Sequence, residues 1–473
     1  MPAWRRQPGF CLLAAVLLVA GAVSVVLAQI QYFAPQWAGG PWIAAANGSR
    51  VAANLRQPNH LGTLLLWSMV CLVWWWPRRA QRQAWAWLAL ASFVLCIVQT
   101  GSRTAALGVL ALAAWGGLDR RLPRGARLAL MASPALYLLF WFALDAFAQT
   151  TGTAFAGEGR FTPRENFSSN RFAIWSNTWD LIKANPWFGV GWGNFNFAWT
   201  LTPFPDRPPE FFDHTHNLFL QFAVELGLPL AAAVSGLLCF AFWRAFRASQ
   251  LASGEQACAL RAAFMLVLVV GIHSQFEYPL WYAYFLLPTA FAFGLCLGGD
   301  SPATEGSRDD DTPATPRARR WRIALIAASL AMSLGGVLSV ADYLRVSVIF
   351  APREGDESSL AQRIEAGKHS LLFAHHAHYA AATTAEHPSQ AMASFRIASH
   401  YLLDTRLMIA WAKAYAELGD LDRARHIAAR LREFNHPDAQ PFFAPCERMY
   451  APDEELPFQC AAPMKALTYR DFL

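Results

Sequence analysis

Residues 211–230 read FFDHTHNLFLQFAVELGLPL. A polar segment carrying Asp213, His214 and His216 passes at Asn217 into a long apolar run that continues to about residue 243. Two imidazoles thus stand where a water-facing loop turns into a segment apolar enough to enter a membrane. The same alternation of long apolar runs and short polar connections extends through most of the chain in both directions.

Hydrophobic residues make up 55% of the 473, and Trp alone occurs 20 times. Charged residues are 15%, against roughly 25% in an ordinary soluble domain. The apolar runs are roughly 17–25 residues long, enough for a helix to cross a hydrocarbon layer of about 30 Å. Spans are expected near 10–28, 60–76, 84–99, 104–118, 128–148, 217–243, 262–281, 282–298 and 323–342. The fold class that follows is an all-α, multi-pass transmembrane helix bundle. The first run follows Arg5 and Arg6, lacks a convincing small-residue cleavage site and precedes further spans, so it reads as an anchor with a cytoplasmic N-terminus. A net charge of +6 does not point to nucleic acid, because the arginines flank apolar runs instead of forming one basic face.

Those arginines assign sides. PRRAQRQ (77–83), DRRLPRGAR (119–127), the Arg244/Arg247 segment and PRARRWR (316–322) belong in the cytoplasm. Residues 31–59, Thr100–Arg103, 149–216, 273–279 and everything after 343 then face outward. The 149–216 loop, with five basic and six acidic residues, shows no positive bias. The domains expected are a bundle over 1–342, containing the large outward loop 149–216 and a cytoplasmic linker 299–322, and a helical C-terminal domain over 343–473. Within the tail, AWAKAYAELGDLDRARHIAARL (410–431) resembles a tetratricopeptide helix pair turning at Gly419–Asp420. Cys11, Cys71, Cys96, Cys239 and Cys296 fall in spans and Cys258 in a connecting loop. Cys446 and Cys460 stand alone in the hydrophilic tail, as a disulfide or as two thiols.

The outward loops hold the polar groups able to do chemistry. Arg103, in TGSRT (100–104), is either an interface-marking arginine or a ligand for phosphate oxygens, which its forked guanidinium suits. It stands on the side that disfavours positive charge. Arg171 opens a helical pattern through Ile174, Trp175, Thr178, Leu181 and Ile182 that Asn185–Pro186 stops. Its alternatives are a surface ion pair or a second anion ligand. His214 and His216, with Asp213, admit three readings: metal ligands, which His273 and Glu277 would have to complete; a helix cap; or a general base titrating near neutrality. QPNHLG (57–62), with Arg56, Asn59 and His60, and HSQFEYPLWY (273–282) add further polar groups beside Trp281, Tyr282 and Tyr284, which also fit an aromatic belt. Convergence of these groups on one membrane boundary favours a site over separate anchors. The tail histidines (His369, His375, His376, His378) read as solvent-facing.

Several of these motifs together resemble the O-antigen ligase superfamily: GSRTA (101–105), Arg171 ahead of PWFGVGWGNF (186–195), and His216–Asn217 ahead of Gly227. QPNHLGTLL (57–65), DHTHNLFLQFAVELGLP (213–229) and HSQFEYPLWYAYFLLP (273–288) resemble its bacterial protein O-oligosaccharyltransferases, the pilin glycosylation ligase type. Two departures stand out. Leu230 occupies the place where the superfamily pattern has Gly, Thr or Tyr, and one span precedes QPNH where relatives carry more, so a truncated start is an open reading.

The resemblance implies a GT-C-like ligase in the bacterial inner membrane, with its catalytic loop and tail in the periplasm. It implies en bloc transfer of a preassembled glycan from undecaprenyl diphosphate to Ser or Thr of an exported, pilin-like protein, with neither metal nor other cofactor. His216 would be the base; Arg103 and Arg171 would stabilise the diphosphate, with His214 beside them. Arg56, Asn59, His60, Asn217, His273 and Glu277 would bind substrate. Lipid A core or a growing polymer as acceptor would share the mechanism. A lipid-linked sugar transporter would instead need polar groups inside the spans, and a non-catalytic scaffold would leave the histidine–arginine constellation idle.

Overall fold

A computed structural model describes residues 8–77, 79–155, 157, 171–205, 207–298, 316–352, 355, 357–451 and 454–473. Of the expected linker 299–322, residues 299–315 lie outside these residues, and 316–322 instead open a long helix, Pro316–Phe350. Helices appear throughout and no strand forms among the described residues, apart from one isolated bridge between Asn47 and Arg50. In chain order they begin with α1 (Pro8–Phe33), α2 (Pro58–Trp74), α3 (Ala80–Thr100), α4 (Arg103–Leu118), α5 (Arg124–Thr151), α6 (Arg171–Ala184), α7 (Phe195–Leu201) and α8 (Leu218–Leu226). There follow α9 (Leu228–Leu251), α10 (Gly254–His273), α11 (Ala283–Gly298), α12 (Pro316–Phe350), α13 (Leu360–Lys368), α14 (Ala374–Thr384), α15 (Met392–Ala398), α16 (Thr405–Glu417) and α17 (Leu421–Phe434).

Six of these are long and apolar enough to cross a membrane: Gly9–Phe33, Gln81–Thr100, Arg124–Thr151, Leu228–Leu251, Gln256–His273 and Arg319–Phe350. The protein is an all-α, multi-pass membrane protein. Shorter helices account for the other expected runs, α4 and α11 with 16 residues each and α2 with 17.

Two boundaries differ from expectation. The run expected as one span over 217–243 breaks at Gly227, whose φ of +77° ends α8 and lets α9 start afresh. The run expected over 262–281 is α10, eight residues earlier, because HSQFEYP leaves the helix after His273. Cys258 consequently lies in α10, not in a loop.

The chain forms two compact units. The first comprises residues 1–171, 216–219 and 232–302. At its centre α2 packs against α1, α3, α4 and α10, and Leu61, Leu65, Trp67, Met69 and Val70 are buried almost all round the helix, as an interior helix requires. Small residues bring the backbones together: a Cβ on Gly62 would lie 2.5 Å from the Ala105 Cβ, so α2 and α4 touch near their N-termini. Trp67 Nε1 donates to the Leu266 carbonyl of α10 at 2.9 Å, satisfying the one polar atom of a fully buried indole.

The second unit comprises residues 172–215, 220–231 and 303–473. Its core joins Ile174, Leu181, Phe195, Phe197, Trp199 and Leu201 from the 172–215 segment to Phe395, Leu407, Trp411, Ile427, Leu431 and Phe434 from the tail. Arg207 is buried here. Its guanidinium lies 4.7 Å from the Trp199 ring centre and 4.5 Å from that of Phe434, and it pairs with Glu433 at 3.0 Å. His426 Nε2 donates to the Leu201 carbonyl at 2.8 Å. In the tail, α16 and α17 form a helical hairpin turning at Gly419–Asp420, with Gly419 at φ +77°. Cys446 and Cys460 are joined as a disulfide.

Candidate active site

The site is built in the first unit, on the turn that follows α10. Backbone amides of Phe276 and Glu277 donate back to the His273 carbonyl at 3.0 and 2.9 Å, which fixes Glu277 just past the helix end. Leu218 N donates to the Ser274 carbonyl at 2.9 Å, and Asn217 Nδ2 to that of Gln275 at 3.2 Å. These bonds hold residue 216 against the same turn. There His216 adopts φ +56°, a left-handed conformation that costs a residue with a Cβ about 1 kcal/mol or more and clusters at functional sites.

Its ring is placed accordingly. His216 Nδ1 lies 3.0 Å from Glu277 Oε2. A carboxylate only accepts, so the Nδ1 atom carries a proton and donates it to Oε2. The other oxygen, Oε1, accepts from Arg171 Nη2 at 2.6 Å and from Asn59 Nδ2 at 2.9 Å. Glu277 is only 6% exposed, and that burial by itself favours the neutral acid. The hydrogen bond and charge of His216 and the charge of Arg171 outweigh it and bring the carboxyl down to about 2. Glu277 is therefore an anion at any physiological pH.

Asn59 is held in turn. Gln57 caps α2 by accepting from His60 N at 2.9 Å, and Pro58 occupies the first helical position. Arg50 Nη2 donates to Asn59 Oδ1 at 3.3 Å, while its Nε donates to the Thr100 carbonyl at 2.8 Å, in the turn that carries Arg103. Ser102 caps α4 by accepting from Ala105 N at 3.1 Å, which puts Arg103 on the first turn. With Gly62 against Ala105, the N-termini of α2 and α4 open side by side, and their partial positive charge suits an anion.

The expected site residues thus divide. Arg171, His216, Asn217, Asn59 and Glu277 come together, with Arg103 on the adjoining turn. His60 and His273 are buried and paired within the unit: His60 Nδ1 with the Tyr284 hydroxyl and His273 Nδ1 with the Thr63 hydroxyl, each at 2.8 Å. Arg56 is exposed at a left-handed turn and shares none of these contacts. His214 belongs to the second unit, where its Nδ1 bonds Asp213. Both Glu277 oxygens accept hydrogen bonds, Oε1 from Arg171 and Asn59 and Oε2 from His216.

Arg50 was not anticipated. The signal was present, since it too is an arginine in a loop expected to face outward. Glu277 was anticipated as a substrate ligand; its contacts are with the imidazole and the guanidinium.

The site is an arginine–carboxylate–histidine chain buried in an all-α multi-pass bundle, next to the N-termini of α2 and α4. Comparison with known proteins adds to this. Family models described as Protein glycosylation ligase, O-Antigen ligase, and Virulence factor membrane-bound polymerase, C-terminal, match residues 51–76, 88–235 and 261–448. The chain is 26% identical over 309 residues to the General O-oligosaccharyltransferase of Acinetobacter baylyi (strain ATCC 33305 / BD413 / ADP1), covering 61% of this chain and 51% of that protein. It is 25% identical over 255 residues to the ComP-specific O-oligosaccharyltransferase of the same organism, covering 53% and 44%. The chain spans about half the length of these curated relatives. The chain is thus similar to models and proteins of the O-antigen ligase superfamily, the two curated relatives being O-oligosaccharyltransferases.

Proposed function

We propose that this protein transfers a preassembled glycan en bloc from undecaprenyl diphosphate to a Ser or Thr hydroxyl of an exported, pilin-like protein, at the periplasmic face of the bacterial inner membrane. The observation that carries the reading is Glu277 bridging Arg171 at 2.6 Å and His216 at 3.0 Å.

In the reaction, Nε2 of His216 takes the proton of the acceptor hydroxyl as its oxygen attacks the anomeric carbon. The bond from that carbon to the phosphate oxygen breaks, and the diphosphate leaves with the electron pair. One displacement inverts the anomeric centre. Glu277, ionised throughout, stabilises the imidazolium that forms and keeps Nε2 aimed away from itself. Arg103, Arg171 and the N-termini of α2 and α4 meet the charge growing on the diphosphate, an electrostatic contribution worth about 3 kcal/mol per well-placed donor in a water-poor site. Asn59 and Asn217 position these groups.

The periplasmic placement of the loop and tail rests on the arginine distribution, and the Cys446–Cys460 disulfide suits an oxidising compartment. A second acceptor, the lipid A core, is favoured by the O-Antigen ligase match over 88–235. Reconstituted enzyme given lipid-linked glycan and both acceptors separates the two. A glycan-sized mass shift on the protein supports the proposal; glycan found only on lipid A core overturns it in favour of the second.

A further inference from the structure

Phe188 is 88% exposed, Trp187 70% and Trp192 67%. Three large aromatic side chains facing out of one six-residue turn are costly in water, and no charged residue lies between Lys183 and Asp206 to solvate the turn. Nor is the turn loose. Val190 N donates to the Val224 carbonyl at 2.8 Å, Gly191 N to that of Glu225 at 3.1 Å, and Leu228 N to that of Pro186 at 2.8 Å. A Cβ on Gly227 would lie 2.3 Å from the Trp187 carbonyl oxygen, so the two backbones are in direct contact.

Residues 186–191 are therefore bonded along 224–228, the last turn of α8 and the first residue of α9. Leu228 opens a 24-residue membrane span, and Leu228 and Leu230 are themselves 43% and 53% exposed. The aromatic turn is bonded to the first residue of this span. The level at which a span enters the bilayer is where Trp, with its apolar body and N–H, is most at home.

We propose that Trp187 and Phe188 form a lipid anchor, inserting into the interfacial layer of the bilayer beside the head of α9 and holding the 186–193 turn at the membrane surface. The partner is the acyl–headgroup boundary of phospholipid and not its charge: the nearest basic residue in sequence, Lys183, is paired with Asp180 at 2.7 Å. Insertion is accordingly indifferent to anionic lipid. The anchor rests only on the protein being a membrane protein. If the proposed function also holds, the anchor keeps the turn at the depth of a lipid diphosphate.

The test places the photoreactive p-benzoylphenylalanine at position 188 of the full chain in phosphatidylcholine nanodiscs, with and without phosphatidylglycerol. The same probe at Leu237, 69% exposed within α9, serves as the lipid-facing reference. Irradiation and mass spectrometry should show phospholipid adducts at 188 with a yield comparable to that at 237 and unaffected by phosphatidylglycerol. Adducts to protein, or no adduct at 188 while 237 labels lipid, overturn the anchor. Dependence on phosphatidylglycerol overturns its uncharged character. None of these readouts requires glycan transfer, so the anchor fails or stands apart from the enzymatic reading.

Discussion

Oε2 of Glu277 lies 3.0 Å from Nδ1 of His216, across 61 residues of sequence. This contact directs the Nδ1 proton at the carboxylate and supplies a counter-charge for the ring, which makes Glu277 part of the proposed base. Glu277→Gln retains a hydrogen-bonding side chain of the same size but removes the charge. Its transfer rate should fall about 10²-fold, within the range that general-base assistance contributes, with insertion and yield unchanged. An enzyme within twofold of wild type would make Glu277 a structural ion pair.

The acidity of Glu277 gives a pH signature. A carboxyl brought down to about 2 stays ionised from pH 5 to 9, and the stabilisation its charge provides is lost only as pH falls through that low value. The carboxylate band of Glu277 in the infrared difference spectrum of wild type against Glu277→Gln should persist over pH 5–9. A protonated-carboxyl band appearing near pH 5 would show Glu277 titrating there and would remove the depressed value.

Arg171→Lys keeps the charge and loses the fork. One ammonium cannot hold Glu277 Oε1 and also present a planar pair of donors to a diphosphate. Transfer should drop at least about tenfold, the equivalent of one lost charge-assisted hydrogen bond. Near-normal transfer would mean that charge alone suffices.

Much of this fold was open to reading along the chain, because apolar runs and their flanking arginines report spans directly. What escaped shows why. The continuous apolar run through Gly227 looked like one helix, and only backbone in contact with Trp187 explains the break. Asn217 and His216 stood out by position next to a span. Arg50 did not, since its role depends on Asn59 and Thr100 being brought to it from nine and 50 residues away. Arg56 drew attention by lying beside QPNH, yet a left-handed turn separates it from the cluster. Side-by-side motifs mark a region; which atom meets which is decided by helix packing.

Arg50 gives its own test. Arg50→Met should release Asn59 and the Thr100 turn, raising KM for the lipid-linked donor more than it lowers kcat, with Arg50→Lys recovering part of the loss. An equal fall in kcat with KM unchanged would put Arg50 on the chemical step instead.

In the second unit, burial lowers His426 from 6.5 to about 4. The folded state prefers the neutral ring, so this stabilisation is complete above pH 6.5 and is lost as pH falls towards 4. It amounts to about 3 kcal/mol at most. Thermal unfolding in detergent should show this unit weakening between pH 6.5 and 4.5, with a shallower slope in His426→Gln. Identical slopes would assign the acid sensitivity to another group.

The most direct measurement is single-turnover glycan transfer by purified His216→Ala in the presence of EDTA, beside wild type under the same conditions. Wild type should keep full turnover with chelator, and the variant should lose about 10²-fold or more with normal insertion and donor binding. Wild-type rates from His216→Ala, or wild-type turnover abolished by EDTA and restored by added metal, would contradict a histidine base at the centre of this site.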